Sequence, residues 1–152
     1  FSTVENVAMQ ALIAGMDRSR AMQLAEVALD RVGLADRLHH RVTTLSGGER
    51  QRAAIARALA IAPRLLICDE ITSALDVTVQ KEILELLNTL RTQQGHDLSI
   101  LFICHDISLV QQFCDRVLVM YHGEIVEEGT PDEVIRNPQN DYTKRLIDSV
   151  LS

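Results

Sequence analysis

The chain has 152 residues, 47% of them apolar but only 3% aromatic, and a formal net charge of -6. That length suits one domain, or a large part of one, with an aliphatic core burying roughly 70% of its unfolded surface. The acidic balance, with no basic stripe to neutralise phosphates, argues against a dedicated nucleic-acid binder. No apolar run reaches the ~18 residues of a membrane span, and no charged-then-apolar signal region opens the sequence. Cys68, Cys104 and Cys114 have neither metal-ligand nor disulfide-framework spacing. Cys68 and Cys104 lie in apolar strand patterns, so buried, reduced thiols of a cytosolic protein are expected. Phe1, rather than Met, comes first, which suggests a chain that begins mid-gene or was trimmed.

In chain order, Ser2-Thr3-Val4-Glu5 matches a capping box, and Val4, Val7, Ala8, Ala11 and Leu12 recur at helical spacing. A second helix is predicted from a cap at Asp17 to Val32, with Gly33 as its stop. A short turn at 35–39 leads to Leu45-Ser46-Gly47-Gly48-Glu49-Arg50-Gln51-Arg52. An alanine-rich helix is predicted from Arg52 to Ala62 and is broken by Pro63. The arginines between Arg41 and Arg64 read as its solvated face. The run from Arg64 to Asp69 reads as a strand of the parallel-sheet kind, apolar throughout and covered on both faces. A helix over 78–92 follows, stopping near Gly95, then a second such strand over 98–104. His105, a short helix over 106–114 and a third strand over 116–121 come next. His122-Gly123 reads as a two-residue hairpin turn into 124–127. Thr130-Pro131-Asp132-Glu133 starts a short helix, and a last helix covers 140–150. Strands alternating with helices indicate a parallel α/β sheet.

Two stretches carry chemistry. Ser46-Gly47-Gly48 gives a tight turn at the positive end of a helix, where backbone N–H groups can meet an oxyanion. Ser46 and Glu49 alone would make an ordinary capping box. That box does not require glycines, which cost a helix ~1 kcal/mol each relative to alanine, so Gly47 and Gly48 suggest close approach of another molecule. Downstream, Leu65-Leu66-Ile67-Cys68 stops abruptly at Asp69 and Glu70. Ligands bind at the C-terminal ends of strands in open α/β sheets. Adjacent residues on a strand point to opposite faces, so one carboxylate can hold Mg2+, directly or through water, while the other faces an attacking water. His39, His40, His96 and His122 sit in loop-like contexts, and a lone histidine after a strand, such as His105, is commonly a satisfied polar residue.

Together these residues resemble the ATP-binding-cassette (ABC) ATPases. LSGGERQR is similar to the family's signature motif, LLICDE to its Walker B strand, Ser73-Ala74-Leu75-Asp76 to its D-loop, and His105 to its switch histidine. The resemblance implies the C-terminal portion of a P-loop NTPase, with an α/β parallel sheet core and an α-helical signature subdomain. It divides the chain into that helical subdomain (1–62), a portion of the RecA-like core (63–129) and a C-terminal helical extension (130–152). By the same resemblance ATP and Mg2+ are the cofactors. Ser46, Gly47 and Gly48, with Gln51 beside them, contact the γ-phosphate of ATP held by an opposing subunit, and Asp76 reaches across that interface. Asp69 takes the metal side, Glu70 is the general base, and His105 orients it. Ile71 stands where the family usually has proline.

No G-x-x-x-x-G-K-[ST] occurs, since neither Lys81 nor Lys144, the only lysines, follows a glycine. That loop supplies most phosphate contacts, so the 152 residues alone are expected neither to bind ATP tightly nor to hydrolyse it. Ala74-Leu75-Asp76-Val77-Thr78-Val79-Gln80 and the tail Asn137-Pro138-Gln139-Asn140-Asp141-Tyr142-Thr143 resemble importers of peptides, dipeptides and nickel. The expectation is an ATPase subunit on the cytoplasmic face of the inner membrane. It would be paired with a second ATPase subunit and transmembrane permease subunits, served indirectly by a substrate-binding protein, with no nucleic acid. The alternatives are a soluble ABC ATPase acting on nucleic acid or ribosomes, and a non-catalytic ABC module.

Overall fold

The computed structural model describes residues 1–93 and 97–151. The helix stop expected near Gly95, and the loop context of His96, lie outside the described residues. The chain divides into two compact units, Phe1–Leu101 and Phe102–Ser152.

The first unit begins with α1, Thr3–Ile13, whose capping box is closed. Ser2 N–H donates to Glu5 Oε2 at 3.0 Å, and Glu5 N–H donates to Ser2 Oγ at 3.3 Å. Thr3 is buried, yet its polar atoms are satisfied: its N–H and Oγ1 both donate to the His40 carbonyl, at 2.8 and 2.9 Å. Asp17 caps α2, Arg18–Arg31, and Gly33 (φ 78°) turns the chain beyond it, as its sequence position implied. Two short 3₁₀ turns, Ala35–Arg37 and Val42–Thr44, lead to α3, Gly47–Leu59. Ala8, Ala11, Ala21, Ala25, Ala28, Ala53 and Ala56 are all buried. Small side chains at these contacts let the three helix axes approach closely, and Val7, Leu29 and Leu34 fill the remaining space.

α3 starts five residues earlier than the sequence suggested and ends three earlier. The glycine pair is the helix's first turn, not a loop before it, because the Ser46–Glu49 capping box satisfies N–H groups at that end. At the other end Ala62 takes φ 52°, a left-handed reversal just before Pro63. β1 (Leu65–Asp69), α4 (Val77–Thr92) and β2 (Ser99–Ile103) then form a strand–helix–strand unit in which the two strands pair. The Ser99 N–H donates to the Arg64 carbonyl at 2.8 Å at one end of that pairing. α4 buries Ile83, Leu87 and Leu90 completely, the face its periodicity indicated.

Burial of the strands on both faces is not what forms. On β1, Leu66 and Cys68 are buried while Leu65 and Ile67 stay 53% and 59% exposed. Leu101 and Ile103 of β2 are exposed as well. A continuous apolar run specifies a strand, but cover on each face comes from other elements, and among the described residues Leu65 and Ile67 of β1 stay more than half exposed. Cys68 keeps the expected burial, whereas Cys104 is half-buried.

In the second unit α5 (Ile107–Phe113) is capped by Asp106, and Phe102 meets Phe113 edge-on at 5.4 Å. The third strand, β3 (Val117–Tyr121), pairs antiparallel with β4 (Glu124–Gly129), forming the hairpin that the His122-Gly123 turn predicted. His122 (φ 50°) and Gly123 (φ 78°) make its two-residue turn, both left-handed as a type I′ turn requires. α6 (Pro131–Arg136) starts from the Thr130–Glu133 capping box. α7 (Asp141–Leu151) is held at its start by Glu127, which accepts the N–H groups of Gln139 and Asn140 at 3.0 and 2.9 Å. Desolvation pushes the Glu127 carboxyl upward, but those N–H donors and the Lys144 charge outweigh it and leave its pKa lowered. Tyr121 stacks on Tyr142 at 4.1 Å.

Candidate functional site

The tip of α3 is exposed at Ser46 and Gly47. Ser46 N–H donates to Glu49 Oε1 at 3.0 Å, and Ser46 Oγ accepts from Glu49 N–H at 3.1 Å. The second Glu49 oxygen accepts from Arg37 Nε at 3.1 Å. These contacts, the Ser46 N–H first and the Arg37 guanidinium next, hold the Glu49 carboxyl below its ordinary range. The glycine pair divides in its requirements. A Cβ on Gly47 would meet nothing closer than Leu75 Cδ2 at 3.8 Å, an ordinary contact. A Cβ on Gly48 would fall 2.8 Å from Val79 Cγ1. The close approach that Gly48 permits is therefore made, at least in part, by the start of α4 in this same chain.

Asp69 is the last residue of β1 and is exposed. Glu70 lies outside the strand with φ 51°. The two carboxylates differ, but not through the pleat of a strand: the chain reverses into the left-handed region between them, a conformation costing a non-glycine residue roughly 1–2 kcal/mol. The turn that follows, residues 71–75, is tied down by its carbonyls. The Glu70 carbonyl accepts from Ser73 N–H and Oγ at 3.3 and 3.0 Å. The Ile71 carbonyl accepts from Gln51 Nε2 at 2.7 Å. The Thr72 carbonyl accepts from Gln80 Nε2 at 2.7 Å, and the same amide reaches the Leu75 carbonyl at 3.0 Å. Asp76 caps α4, its Oδ1 accepting the Val79 N–H at 2.9 Å.

Of the residues singled out from the sequence, Ser46, Gly47, Gly48, Gln51, Glu70 and Asp76 thus fall on elements in direct contact: the α3 tip, the 71–76 turn and the start of α4. Gln51 turns its amide onto this chain's own backbone. Gln80 belongs to the same group and escaped the sequence reading. Its one available signal was a polar residue on the first turn of a helix one turn after a capping aspartate. His105 lies in the second unit, exposed between β2 and the Asp106 cap of α5.

Among the described residues no three His, Cys, Asp or Glu side chains converge on one point as a metal cage would require. No described helix is long and apolar enough to cross a membrane. The open groove between α2, the end of α3 and Gln93 includes no residue of the α3 tip or the 71–76 turn.

Comparison with known proteins adds what the chain is similar to. The family model described as ABC transporter matches residues 2–73. The peptidoglycan transport ATP-binding protein YejF of Agrobacterium fabrum is 50% identical over 141 residues, 91% of this chain and 25% of that protein. The methionine import ATP-binding protein MetN of Helicobacter pylori (strain J99) is 44% identical over 143 residues, 94% of this chain and 43% of that protein. The oligopeptide transport ATP-binding protein OppF of Salmonella typhimurium is 48% identical over 135 residues, 88% of this chain and 38% of that protein. The chain therefore spans between a quarter and under half of the length of these relatives. Among solved structures, a metal-chelate type ABC transporter in an inward-facing conformation superposes with a TM-score of 0.82 at 27% identity, covering 98% of this chain and 58% of that one.

Proposed function

From the premise that these residues form part of an ABC transporter ATP-binding domain, we propose that the chain supplies half of a composite ATPase site that drives import of peptides or a related small solute. The Ser46-Gly47-Gly48 tip offers the Gly47 and Gly48 N–H groups and the helix dipole to the γ-phosphate of an ATP anchored by an opposing subunit. The lysine-bearing loop that cradles the other phosphates has no counterpart in these 152 residues, so the site needs it from elsewhere. Asp69 fits Mg2+, which when bound neutralises charge on the transferring phosphoryl group. Glu70 accepts a proton from the attacking water. Asp76 lies at the junction between the two sites of a dimer. Permease subunits, a second ATPase subunit and a place on the cytoplasmic membrane face complete the proposal. Kinship in sequence to peptidoglycan, oligopeptide and methionine transport ATPases supports this reading.

The observation that carries it is the junction of an exposed glycine-bearing helix tip with the turn that follows a strand-end carboxylate pair. The test is Glu70→Gln in the full-length protein. ATP binding should persist while turnover falls by about 100-fold or more, in the usual range for loss of a general base. Turnover at the wild-type level would remove Glu70 from the chemistry and with it the ATPase reading of this site.

A further inference from the structure

Glu70 holds a left-handed backbone conformation that only glycine adopts freely. Such strain persists where surrounding contacts over-determine it, and it concentrates at functional positions. Here the contacts are three consecutive carbonyls, of residues 70, 71 and 72, each accepting a side-chain donor: Ser73 Oγ, Gln51 Nε2 and Gln80 Nε2. Ser73 belongs to the turn itself, so it cannot fix the turn to anything else. Gln80 anchors it to α4. Gln51 alone of the three comes from α3, twenty residues upstream, one turn beyond the glycine pair.

We propose that Gln51 is a positioning residue for Glu70. Its amide, donated to the Ile71 carbonyl, fixes the peptide that follows Glu70 and so couples the phosphate-contacting tip of α3 to the carboxylate that activates water. A movement of the α3 tip reaches the peptide after Glu70 through this side chain, and Gly48 lying against Val79 keeps the two elements close enough for it to span. At 2.7 Å the bond is at the short end for an amide donor, and Gln51 is half-buried, so water replaces it poorly. The proposal rests on the ATPase reading above.

The test uses the full-length protein with Gln51→Met, which keeps the length and removes the donor, and Gln51→Lys, which keeps a donor on a flexible arm. In the nucleotide-free protein, Gln51→Met should speed hydrogen exchange at the Ser73 and Leu75 amides, whose acceptors are the Glu70 and Thr72 carbonyls, by about tenfold. It should lower kcat by about tenfold with KM for ATP changed less than about twofold, the pattern of a misplaced catalytic group. Gln51→Lys should recover most of both losses. Unchanged exchange and kcat in Gln51→Met would overturn the proposal. So would equal losses in both variants that follow a lowered unfolding midpoint, because Gln51 would then be a folding contact only. Glu70→Gln, measured alongside, separates the two hypotheses. If it stays active, the ATPase reading fails; if it is inactive while Gln51→Met behaves as wild type, only the coupling fails.

Discussion

The three helices before residue 60 and the strand that follows them use the same aliphatic alphabet to different ends. α1, α2 and α3 close their apolar faces on one another, with alanines at the crossings and Val7, Leu29 and Leu34 buried between them. β1 closes only one face: Leu66 and Cys68 are buried, while Leu65 and Ile67 remain more than half exposed. Amphipathic helices carry their own division into inside and outside, whereas a uniformly apolar strand leaves that division to its neighbours. The consequence for function is local. The self-contained helical packing gives α3 a rigid base, and its tip then reaches the 71–76 turn through Gln51 and Gly48.

The sharpest way to break that comparison is Leu29→Ala. Leu29 is fully buried among helices that complete their own core, so the loss should be about 2–5 kcal/mol, read as a lowered urea midpoint. A loss below about 1 kcal/mol would mean the helical core collapses around the gap and is less closely packed than described. Acid sharpens it next. The Glu49 carboxyl is held below its ordinary value of 4.5 by the Ser46 N–H and by Arg37. Around that value the unfolded chain binds more protons than the folded one. Its contribution is whole above the unfolded value and disappears as pH falls through the lower folded one. The stability gap between wild type and Glu49→Gln should therefore narrow on acidification from neutrality. A gap independent of pH would assign the effect to side-chain shape instead. At the alkaline end the sign reverses for Cys68, whose thiol burial raises to about 11. The unfolded thiol ionises first, from about 9, so stability falls as pH rises between the two values. The smallest effect belongs to the open face of β1. Ile67→Thr keeps a β-branched side chain at an exposed position and should change stability by less than about 0.5 kcal/mol. A loss near that of Leu29→Ala would show that this face is covered.

Helix caps were legible because they are local. Ser2 with Glu5, Asp17, Ser46 with Glu49 and Thr130 with Glu133 each need only three or four residues to satisfy N–H groups, and all four form. The His122-Gly123 turn was legible for the same reason. That turn also carried the antiparallel pairing of β3 with β4, although the bulge between Val119 and Met120 left no mark in the sequence. At the candidate site, the sequence pointed to Gly48 but not to Val79 as the group it makes room for. It pointed to Glu70 but not to the backbone reversal that separates it from Asp69.

What the amino-acid sequence determined by itself is the set of helices, their caps, the strand that ends in two carboxylates, and the family resemblance those motifs carry. The tertiary structure alone decided which faces are covered, and that Gln51 and Gln80 hold the turn beyond Glu70 by its carbonyls. The physical reason is range: capping and periodicity are satisfied within a few residues along the chain. A side-chain amide twenty residues from the carbonyl it meets leaves no mark in the pattern of either segment.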